Sequence, residues 1–411
     1  MRTPVARALA MIVVVVAAAL GLLLVLRGGE DLSLKQVQVG FESPACTLTA
    51  AAGSSLSVAL SKAPSGAVLC LSGGTYRGER VPAEATDKTA YVTVQPLFGE
   101  AAVFAGELAF DGARYLRLRG LTLRGGLRFS PVASHVQLLD NDVSGVGGIF
   151  LFGDSGEGGS IESVLIEGNL IHDIDYTGPQ QVYSGYGIKS IGSQRRITVR
   201  GNTIRSVAAD YLQTDEANNW TVDGNIFLGP SLARGHPREH QDLWQVYAGG
   251  RGLEFTNNVA RGTGTSQSLL FQMSYPGNRF ADVVVTNNLF DHDSRGYSCQ
   301  IYQSAGLVFR GNTIAGSRFG CLFRHDDRFP EGSGYEVDHN VFAEAATGAD
   351  VGLEGGVRGW GRFDYNVSSD RSAVGRNSVR RWRPGWEDRV DYRALGLSFP
   401  AGYQPTPVGL R

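Results

Sequence analysis

The chain has 411 residues, of which 55 are glycine and 42% are hydrophobic, and its formal net charge is −2. The glycine content excludes a protein built from long helices, because each glycine inside a helix costs roughly 1 kcal/mol, and the hydrophobic content excludes a disordered chain. The balance of 38 basic against 40 acidic residues excludes a general nucleic-acid-binding surface, which requires a basic excess. We therefore expect no nucleic-acid partner.

The first segment of the chain is apolar and long enough to cross a membrane. Residues 8–26 carry no charge, and they follow two arginines, Arg2 and Arg7. A helix of this length, at about 1.5 Å per residue, matches the hydrocarbon core of a bilayer and exceeds the apolar core of a cleaved signal peptide. We predict a transmembrane signal anchor within residues 1–27, a linker at 28–44, and an amino terminus in the cytoplasm with all later residues outside it. The alternative is secretion after signal cleavage.

Four cysteines follow the predicted membrane segment: Cys46, Cys70, Cys299 and Cys321. An even number of cysteines in an oxidising compartment predicts two disulfides, Cys46–Cys70 and Cys299–Cys321. Metal binding by these residues is the weaker interpretation, because the sequence contains no CxxC motif and no Cys/His cluster.

A short motif recurs through the middle and later part of the chain. Each copy has a short apolar strand, a polar residue or two, an asparagine and a second apolar strand, as in ITVRGNTI and VVVTNNLF. The asparagines follow one another at intervals of 23 to 33 residues: Asn141, Asn169, Asn202, Asn225, Asn258, Asn288, Asn312, Asn340 and Asn366.

Repeat units of this length leave no room for a helix, and they bury their apolar side chains only by stacking in parallel. We predict an all-β parallel β-helix solenoid of about ten coils over residues 45–366, followed by an irregular carboxyl-terminal cap at 367–411. The asparagines would be structural: they would take the left-handed turn conformation and hydrogen-bond from coil to coil.

The repeat resembles that of right-handed parallel β-helix proteins of the pectate-lyase-like superfamily. The segment SLSVALSKAPSGAVLCLSGGTY (55–76) is similar to their entrance pattern of a short amphipathic helix, a turn and a strand, which implies a helix that caps the first coil. The resemblance implies a right-handed solenoid and a carbohydrate-active protein whose partner is a polysaccharide. The signature motifs of the polygalacturonase, pectate lyase and alginate epimerase branches are absent, so the prediction stops at the superfamily. We expect a monomer.

A second strand in each repeat carries polar residues on its outward side. Matching the inward residues places one column on the surface: Lys189, Gln213, Gln245, Gln272, Gln303 and Arg324. Two interpretations are open, a ladder of side-chain amides that needs no ligand and a groove whose amides bind sugar hydroxyls. The groove interpretation predicts these substrate-binding residues: Gln213, Gln245, Gln272, Arg324, Tyr211 and Tyr247.

Acidic residues flank these glutamines. Asp210 and Asp242 each precede a glutamine by three residues, Asp215 follows Gln213 by two, and His240 opens an HxDLWQ segment. That segment is similar to an HxDxxQ pattern of bacterial right-handed β-helix proteins. Because adjacent carboxylates resist ionisation, we predict a Ca²⁺ ion held by Asp210, Asp215 and Asp242, or catalytic roles for Asp210, His240 and Asp242. The alternative is that the aspartates cap local backbone groups and the histidine caps a turn.

Lysine is scarce, with four lysines among the 38 basic residues, and Lys189 is the only one in the asparagine-repeat region. In β-helix polysaccharide lyases a base removes the proton α to a uronate carboxylate, so the resemblance implies that Lys189, or else His240, is that base. We predict an enzyme that cleaves an acidic polysaccharide by β-elimination. The alternatives are hydrolysis by Asp210 and Asp242 and a non-catalytic glycan-binding or assembly scaffold, and an ordinary exposed lysine is the alternative for Lys189.

Overall fold

The repeat units wind into a stack of short parallel strands. The computed structural model describes residues 45–154, 160–176, 184–229, 241–275, 277–291, 294–343, 350–354, 356–368 and 378. These residues all belong to one unit, Pro44–Ser398. The strands form three faces, which we call faces one, two and three in the order in which the chain meets them after each asparagine turn.

Face one is a separate sheet of twelve strands. They are β3 (Gly74–Arg77), β6 (Ala102–Ala105), β8 (Thr122–Leu123), β10 (Asp142–Gly145), β13 (Leu170–Ile174), β16 (Thr203–Val207), β19 (Ile226–Leu228), β22 (Val259–Arg261), β25 (Leu289–Asp291), β28 (Thr313–Ala315), β31 (Val341–Ala343) and β34 (Val367–Ser368).

Faces two and three form one sheet of 22 strands, because two long strands, β7 (Leu108–Arg119) and β9 (Leu127–Leu139), bend from one face into the other. The other strands of face two are β4 (Arg80–Val81), β11 (Ile149–Phe152), β14 (Ile188–Ile191), β17 (Leu212–Thr214), β20 (Asp242–Val246), β23 (Gln267–Phe271), β26 (Tyr297–Ile301), β29 (Phe319–Phe323) and β32 (Val351–Leu353). The other strands of face three are β1 (Leu48–Ala50), β2 (Val68–Leu71), β5 (Asp87–Pro96), β12 (Ile161–Glu167), β15 (Gln194–Arg200), β18 (Ala217–Asp223), β21 (Gly250–Thr256), β24 (Phe280–Thr286), β27 (Ser304–Arg310), β30 (Tyr335–Asp338) and β33 (Gly361–Asp364).

The twelve strands of face one correspond to twelve coils within the described residues, more than the ten or so expected from the repeat. The difference lies in the first three coils, whose turns before β3, β6 and β8 contain no asparagine. At the third of these turns Leu121 takes the place of the asparagine, and its backbone N–H donates to Asn141 Oδ1 at 3.0 Å. Counting the asparagines of the repeat therefore misses the first three coils.

The asparagines form the predicted ladder. From Asn141 to Asn366, each side-chain amide donates to the amide oxygen of the next asparagine at 2.9–3.1 Å. All of them are buried. The predicted left-handed conformation, however, falls on the residue before each asparagine, as at Gly168, Gly201 and Asn257, with φ of 69°, 62° and 57°. The tight turn is made there, which leaves the asparagine free to begin the next strand with its side chain in the ladder.

The inward side chains of all three faces pack into one continuous core. Aromatic residues of successive coils contact one another within it: the Phe110 and Phe129 rings stack with centroids 5.1 Å apart, and Trp244 meets Phe271 edge to face at 5.1 Å. Neighbouring coils are thereby tied together by packing as well as by strand pairing.

Two short helices precede the first long strands: α1 (Leu56–Lys62) and α2 (Ala83–Thr86). Ser55 caps α1 by accepting a hydrogen bond from the Val58 N–H, and Leu56 and Leu60 are buried in the core. The Lys88 ammonium group donates to the carbonyl oxygens of Leu60 and Ala63 at 3.0 and 2.8 Å. This lysine therefore satisfies carbonyl groups at the end of the helix.

Both predicted disulfides are present, Cys46–Cys70 and Cys299–Cys321. Cys299 and Cys321 are directly paired residues of β26 and β29, and both point into the core. The second disulfide therefore joins two adjacent coils from the inside.

The predicted membrane anchor at 8–26 and the linker at 28–44 lie outside the described residues, as does the predicted cap at 367–411 apart from Val367, Ser368 and Ser378. Within the described ranges, no helix has the length and apolar character needed to cross a membrane.

Candidate active site on face two

The outward side of face two carries two columns of polar residues. In the first column Lys189 pairs with Gln213, and Gln213 pairs with Gln245, as the sequence predicted. The next members are Leu270, Gln300 and Leu322, so the prediction that Gln272, Gln303 and Arg324 continue this column is wrong. After Gln245 the first column alternates between apolar and polar residues, with Gln300 between Leu270 and Leu322.

The error in register has a simple cause. In the three coils after Trp244, the inward residues at the same position are Leu269, Cys299 and Cys321. Matching the large aromatic residues of the sequence places Phe271 at this position instead. For Gln272 and Arg324 the two choices differ by two positions, which preserves the side of the strand but moves each residue along it. Gln303 is three positions beyond Gln300, and its side chain is buried.

The second column lies two residues further along the strands, on the same outward side. Its backbone hydrogen bonds run from the N–H of Tyr247, Gln272, Tyr302 and Arg324 to the preceding coil in each case. The column consists of Asp215, Tyr247, Gln272, Tyr302 and Arg324, one residue from each of five consecutive coils. It spans about 19 Å at the usual spacing of adjacent strands.

Asp210 and Asp242 lie at the beginning of these strands and connect adjacent coils. Asp210 Oδ1 accepts the backbone N–H of Asp242 at 2.7 Å, and its Oδ2 accepts Gln213 Nε2 at 2.8 Å. Asp242 Oδ1 accepts the backbone N–H of Gln267 at 3.0 Å. Both aspartates are completely buried. This geometry corresponds to the backbone-capping interpretation of the two carboxylates.

Gln213 and Gln245 contact each other directly, since Gln213 Nε2 also donates to Gln245 Oε1 at 2.7 Å. The pair is almost fully buried. An amide ladder on face two is thus limited to these two residues, because Leu270 follows Gln245 in the column.

Lys189, in the first column, lies beside Asp215 and Tyr247, in the second column, on adjacent coils. Burial raises the pKa of the Asp215 carboxyl, while hydrogen bonds with Tyr247 and the Gly192 backbone and the charge of Lys189 oppose that rise. Lys189 Nζ also lies 3.7 Å from the centroid of the Tyr186 ring, and the lysine is only 7% exposed. A lysine, a carboxyl and a phenol therefore share one partly enclosed position.

One oxygen of this carboxyl, Asp215 Oδ1, is buried and has no hydrogen-bond partner among the described residues. A buried carboxylate oxygen without a hydrogen-bond partner destabilises the folded protein. Protonation of the carboxyl, or a bound hydroxyl group that donates to the oxygen, removes this penalty. The position therefore suits proton transfer or a sugar hydroxyl.

Other predicted site residues lie elsewhere. Tyr211, expected to contact substrate, is completely buried; its hydroxyl donates to the Leu228 carbonyl at 2.9 Å and its ring packs against Phe227. That expectation is corrected, because the ring fills the core. Arg324 lies at the far end of the second column, with its guanidinium 5.1 Å from the Tyr302 ring and Nε 3.2 Å from Glu354. His240 lies outside the described residues.

The sequence predicted each member of the Lys189, Asp215 and Tyr247 group for a different role, and it did not predict that they meet. The usable signal was the two-residue spacing from Gln213 to Asp215 and from Gln245 to Tyr247. That spacing puts all four side chains on one side of adjacent strands.

The fold and the repeat define a known class of protein. Residues 126–342, more than half of the chain, match the model of the right-handed β-helix region. The chain belongs to this family, and the resemblance to right-handed β-helix proteins of the pectate-lyase-like superfamily is confirmed at the level of the fold. No curated protein sequence matches the chain.

Several solved structures are similar to this chain. An alginate lyase of the PL6 family, AlyGC, is 13% identical with a TM-score of 0.50, and the match covers 81% of this chain and 53% of that one. An alginate lyase from Paenibacillus sp. str. FPU-7 is 18% identical with a TM-score of 0.47 over 72% and 99% of the two chains. This chain thus spans about half the length of the first. At such identities the similarity shows the fold alone.

Proposed function

We propose that the protein is a polysaccharide lyase that cleaves an acidic polysaccharide by β-elimination on the outward side of face two. The observation that carries this proposal is the position of Lys189 beside the partly buried carboxyl of Asp215, which lies on the adjacent coil two residues after the Gln213 that pairs with Lys189. Elimination needs a base for the proton α to a uronate carboxylate and a proton for the departing glycosidic oxygen. A lysine and a carboxyl of raised pKa supply these two kinds of group.

In the proposed reaction Lys189 Nζ takes the α proton, the C–H electrons form the new C=C bond, and the glycosidic C–O bond breaks. The Asp215 carboxyl, which burial keeps protonated to higher pH and which is hydrogen-bonded to Tyr247, gives its proton to the departing oxygen. His240 is the alternative base. Gln245 and Gln272, in the two columns beside Tyr247, would bind sugar hydroxyl groups.

The second column extends the proposed groove. Gln272, Tyr302 and Arg324 occupy three consecutive coils and are all partly exposed. A tyrosine can stack against a sugar ring. An arginine can bind a carboxylate, but Arg324 already forms an ion pair with Glu354 at 3.2 Å, so its charge is partly neutralised. Arg324 is five coils from Lys189, about 24 Å at the usual strand spacing, so it would contact a different sugar of the same polymer.

Two other predictions do not fit the geometry. A calcium ion would need Asp210, Asp215 and Asp242 together, yet no group of three metal-binding side chains converges within the part of the chain that the structure describes. The carboxylates of Asp210 and Asp242 instead accept backbone N–H groups. The reaction proposed here uses no cation, and the calcium ion stays a prediction. The role of Asp210 and Asp242 in accepting backbone N–H groups argues against hydrolysis by these two buried aspartates.

We also propose that residues 8–26 anchor the protein in a membrane, with the β-helix on the outer side and α1 capping its first coil. The two disulfides support an oxidising compartment. The buried Leu56 and Leu60 of α1 support the capping role. A monomer remains our expectation.

The proposed reaction is tested with Lys189→Met, assayed on alginate and polygalacturonate by the ultraviolet absorbance of unsaturated uronate. Because general acid–base groups contribute about 10²–10⁴-fold, the rate should fall at least about 100-fold. Lys62→Met is the matched control, since Lys62 is an exposed lysine at the end of α1. Its rate should not change.

Three other results would point away from this reaction. New reducing ends without absorbance would indicate hydrolysis. Binding without any cleavage would indicate a scaffold. A loss of rate in chelator that Ca²⁺ restores would show that a cation participates after all.

A further inference from the structure

A second surface lies on face three in the first coils, away from the candidate active site. Three consecutive strands, β5, β7 and β9, place an aromatic ring at the same outward position. The rings of Tyr115 and His135 stack with centroids 4.4 Å apart, and Tyr91 meets Tyr115 edge to face at 5.5 Å. We call this group, with the neighbouring Arg117, the aromatic platform.

Arg117 is held in place by neutral groups. Its Nε donates to Gln137 Oε1 at 2.7 Å, one terminal nitrogen lies 3.4 Å from Thr93 Oγ1, and the guanidinium is 4.9 Å from the Tyr91 ring centroid. The Tyr91 hydroxyl also hydrogen-bonds with Gln137. The arginine is thus fixed between side chains of β5 and β9 without being neutralised by them.

Other arginines of face three are neutralised. Arg200 pairs with Glu167 at 2.7 Å, and Arg310 pairs with Glu336 at 2.6 Å. Among the described residues, no carboxylate forms an ion pair with Arg117. Its charge therefore remains available to an anionic ligand, and its planar group is already oriented.

The backbone under the platform is strained. Tyr115 and His135 have φ of 52° and 54°, a left-handed conformation that is rare for bulky residues and costs of order 1–3 kcal/mol at each position. Later coils put Ser163, Arg196, Asn219, Asp282 and Gly306 at this corner, also with positive φ. The left-handed conformation therefore belongs to this corner of the fold and not to the aromatic residues alone. What distinguishes the first coils is that this corner carries aromatic rings in contact with each other.

We propose that the aromatic platform binds an acidic saccharide segment, as a second polysaccharide-binding surface separate from face two. The rings offer apolar contact to a sugar, and Arg117 offers two donors to a uronate carboxylate. Only the choice of ligand class rests on the proposed function. Because β7 and β9 run from face two into face three, a polymer held on the platform is kept at a high effective concentration near the active site.

The test measures binding of polygalacturonate to the full chain, with dextran as the neutral probe. Arg117→Gln and Tyr115→Asn should each raise the Kd for polygalacturonate by about tenfold or more, which is the usual effect of losing a charge-assisted contact. Asparagine already occupies the same corner at Asn219, so Tyr115→Asn should fold normally, as a thermal unfolding midpoint will show. Arg200→Gln is the matched control, because Arg200 lies on the same face but is paired with Glu167.

Unchanged Kd values in both platform variants, equal binding of dextran, or no binding of polygalacturonate by the wild type would each overturn the proposal. Binding that depends on Arg117, in a protein that cleaves nothing, would support the platform while the proposed lyase activity fails. Cleavage by the wild type, together with unchanged binding in Arg117→Gln, would support the proposed lyase activity and overturn the platform.

Discussion

At the scale of single residues, Asp215 takes its chemistry from other coils. Its neighbours Lys189, Gly192 and Tyr247 belong to the coils before and after it, and the burial that raises its pKa comes from the stack as a whole. A carboxyl with the same neighbours in sequence but a different register would be an ordinary surface acid. The chemical character of the residue is therefore a product of stacking.

The raised pKa of Asp215 predicts a pH-dependent effect on stability. The pKa of the Asp215 carboxyl is higher in the folded state than its ordinary value of 3.8. The protonated carboxyl therefore contributes to folding stability at a pH below 3.8, and this contribution is lost as the pH rises through the folded-state pKa. The ionised side chain then costs stability at neutral pH. Asp215→Asn removes this cost, so its unfolding midpoint relative to wild type should increase between pH 4 and pH 8. A difference that is constant over this range would contradict the raised pKa.

Two of the four lysines, Lys88 and Lys189, are buried in different surroundings. Lys88 is buried and donates to two carbonyl groups at the end of α1, so it has a structural role that the sequence did not indicate. Lys189 lies in the candidate active site, as the resemblance implied, although its catalytic role is still a prediction. Composition alone does not separate the two cases, because both depend on which groups surround the ammonium.

At the scale of elements, the asparagine ladder is the clearest feature. Asn225 donates to Asn258 Oδ1 at 3.0 Å and to the Val199 carbonyl at 2.9 Å, and it accepts a hydrogen bond from the Asn202 amide at 2.9 Å. Each coil therefore supplies the partners of the coils beside it. The ladder was predictable because one residue type recurs at one turn, and repeated contacts require no knowledge of the exact strand register.

Removing one asparagine from the ladder should lower the free energy of unfolding. Asn225→Ala leaves buried groups in two neighbouring coils without partners, at about 1–3 kcal/mol each, so the free energy of unfolding should fall by roughly 2–5 kcal/mol in urea. Asn218→Ala is the control, because Asn218 is partly exposed and donates only weakly to Glu216 at 3.4 Å. Equal losses in the two variants would show that the ladder adds no special stability.

At the scale of the whole molecule, the stacked coils contact mainly their neighbours, so local changes should stay local. The two disulfides close segments of similar length, with separations of 24 and 22 residues, and each should stabilise its region by about 3 kcal/mol. Their positions differ, however. Cys46–Cys70 lies among the first described strands, whereas Cys299–Cys321 lies inside the stack.

This difference predicts two patterns of amide hydrogen exchange. Replacing Cys46 and Cys70 by alanine should speed exchange in β1 and β2 and leave β17 and β20 protected. Replacing Cys299 and Cys321 should speed exchange in β26, β29 and the coils beside them. Uniform acceleration along the chain after the first replacement would mean that the stack opens as one cooperative unit.

The parallel β-helix, the asparagine ladder and both disulfides were predictable from the sequence, because each depends on a pattern that repeats from coil to coil or on a pair of residues one coil apart. Which side chains come into contact became clear only from the folded chain. The tertiary structure shifted Gln272 and Arg324 into a second column, buried Asp210, Asp242 and Tyr211, and brought Lys189 to Asp215. The physical reason is that the coils differ in length, so residues in contact are separated by unequal stretches of chain, and a shift of two positions leaves the outward pattern of a strand unchanged.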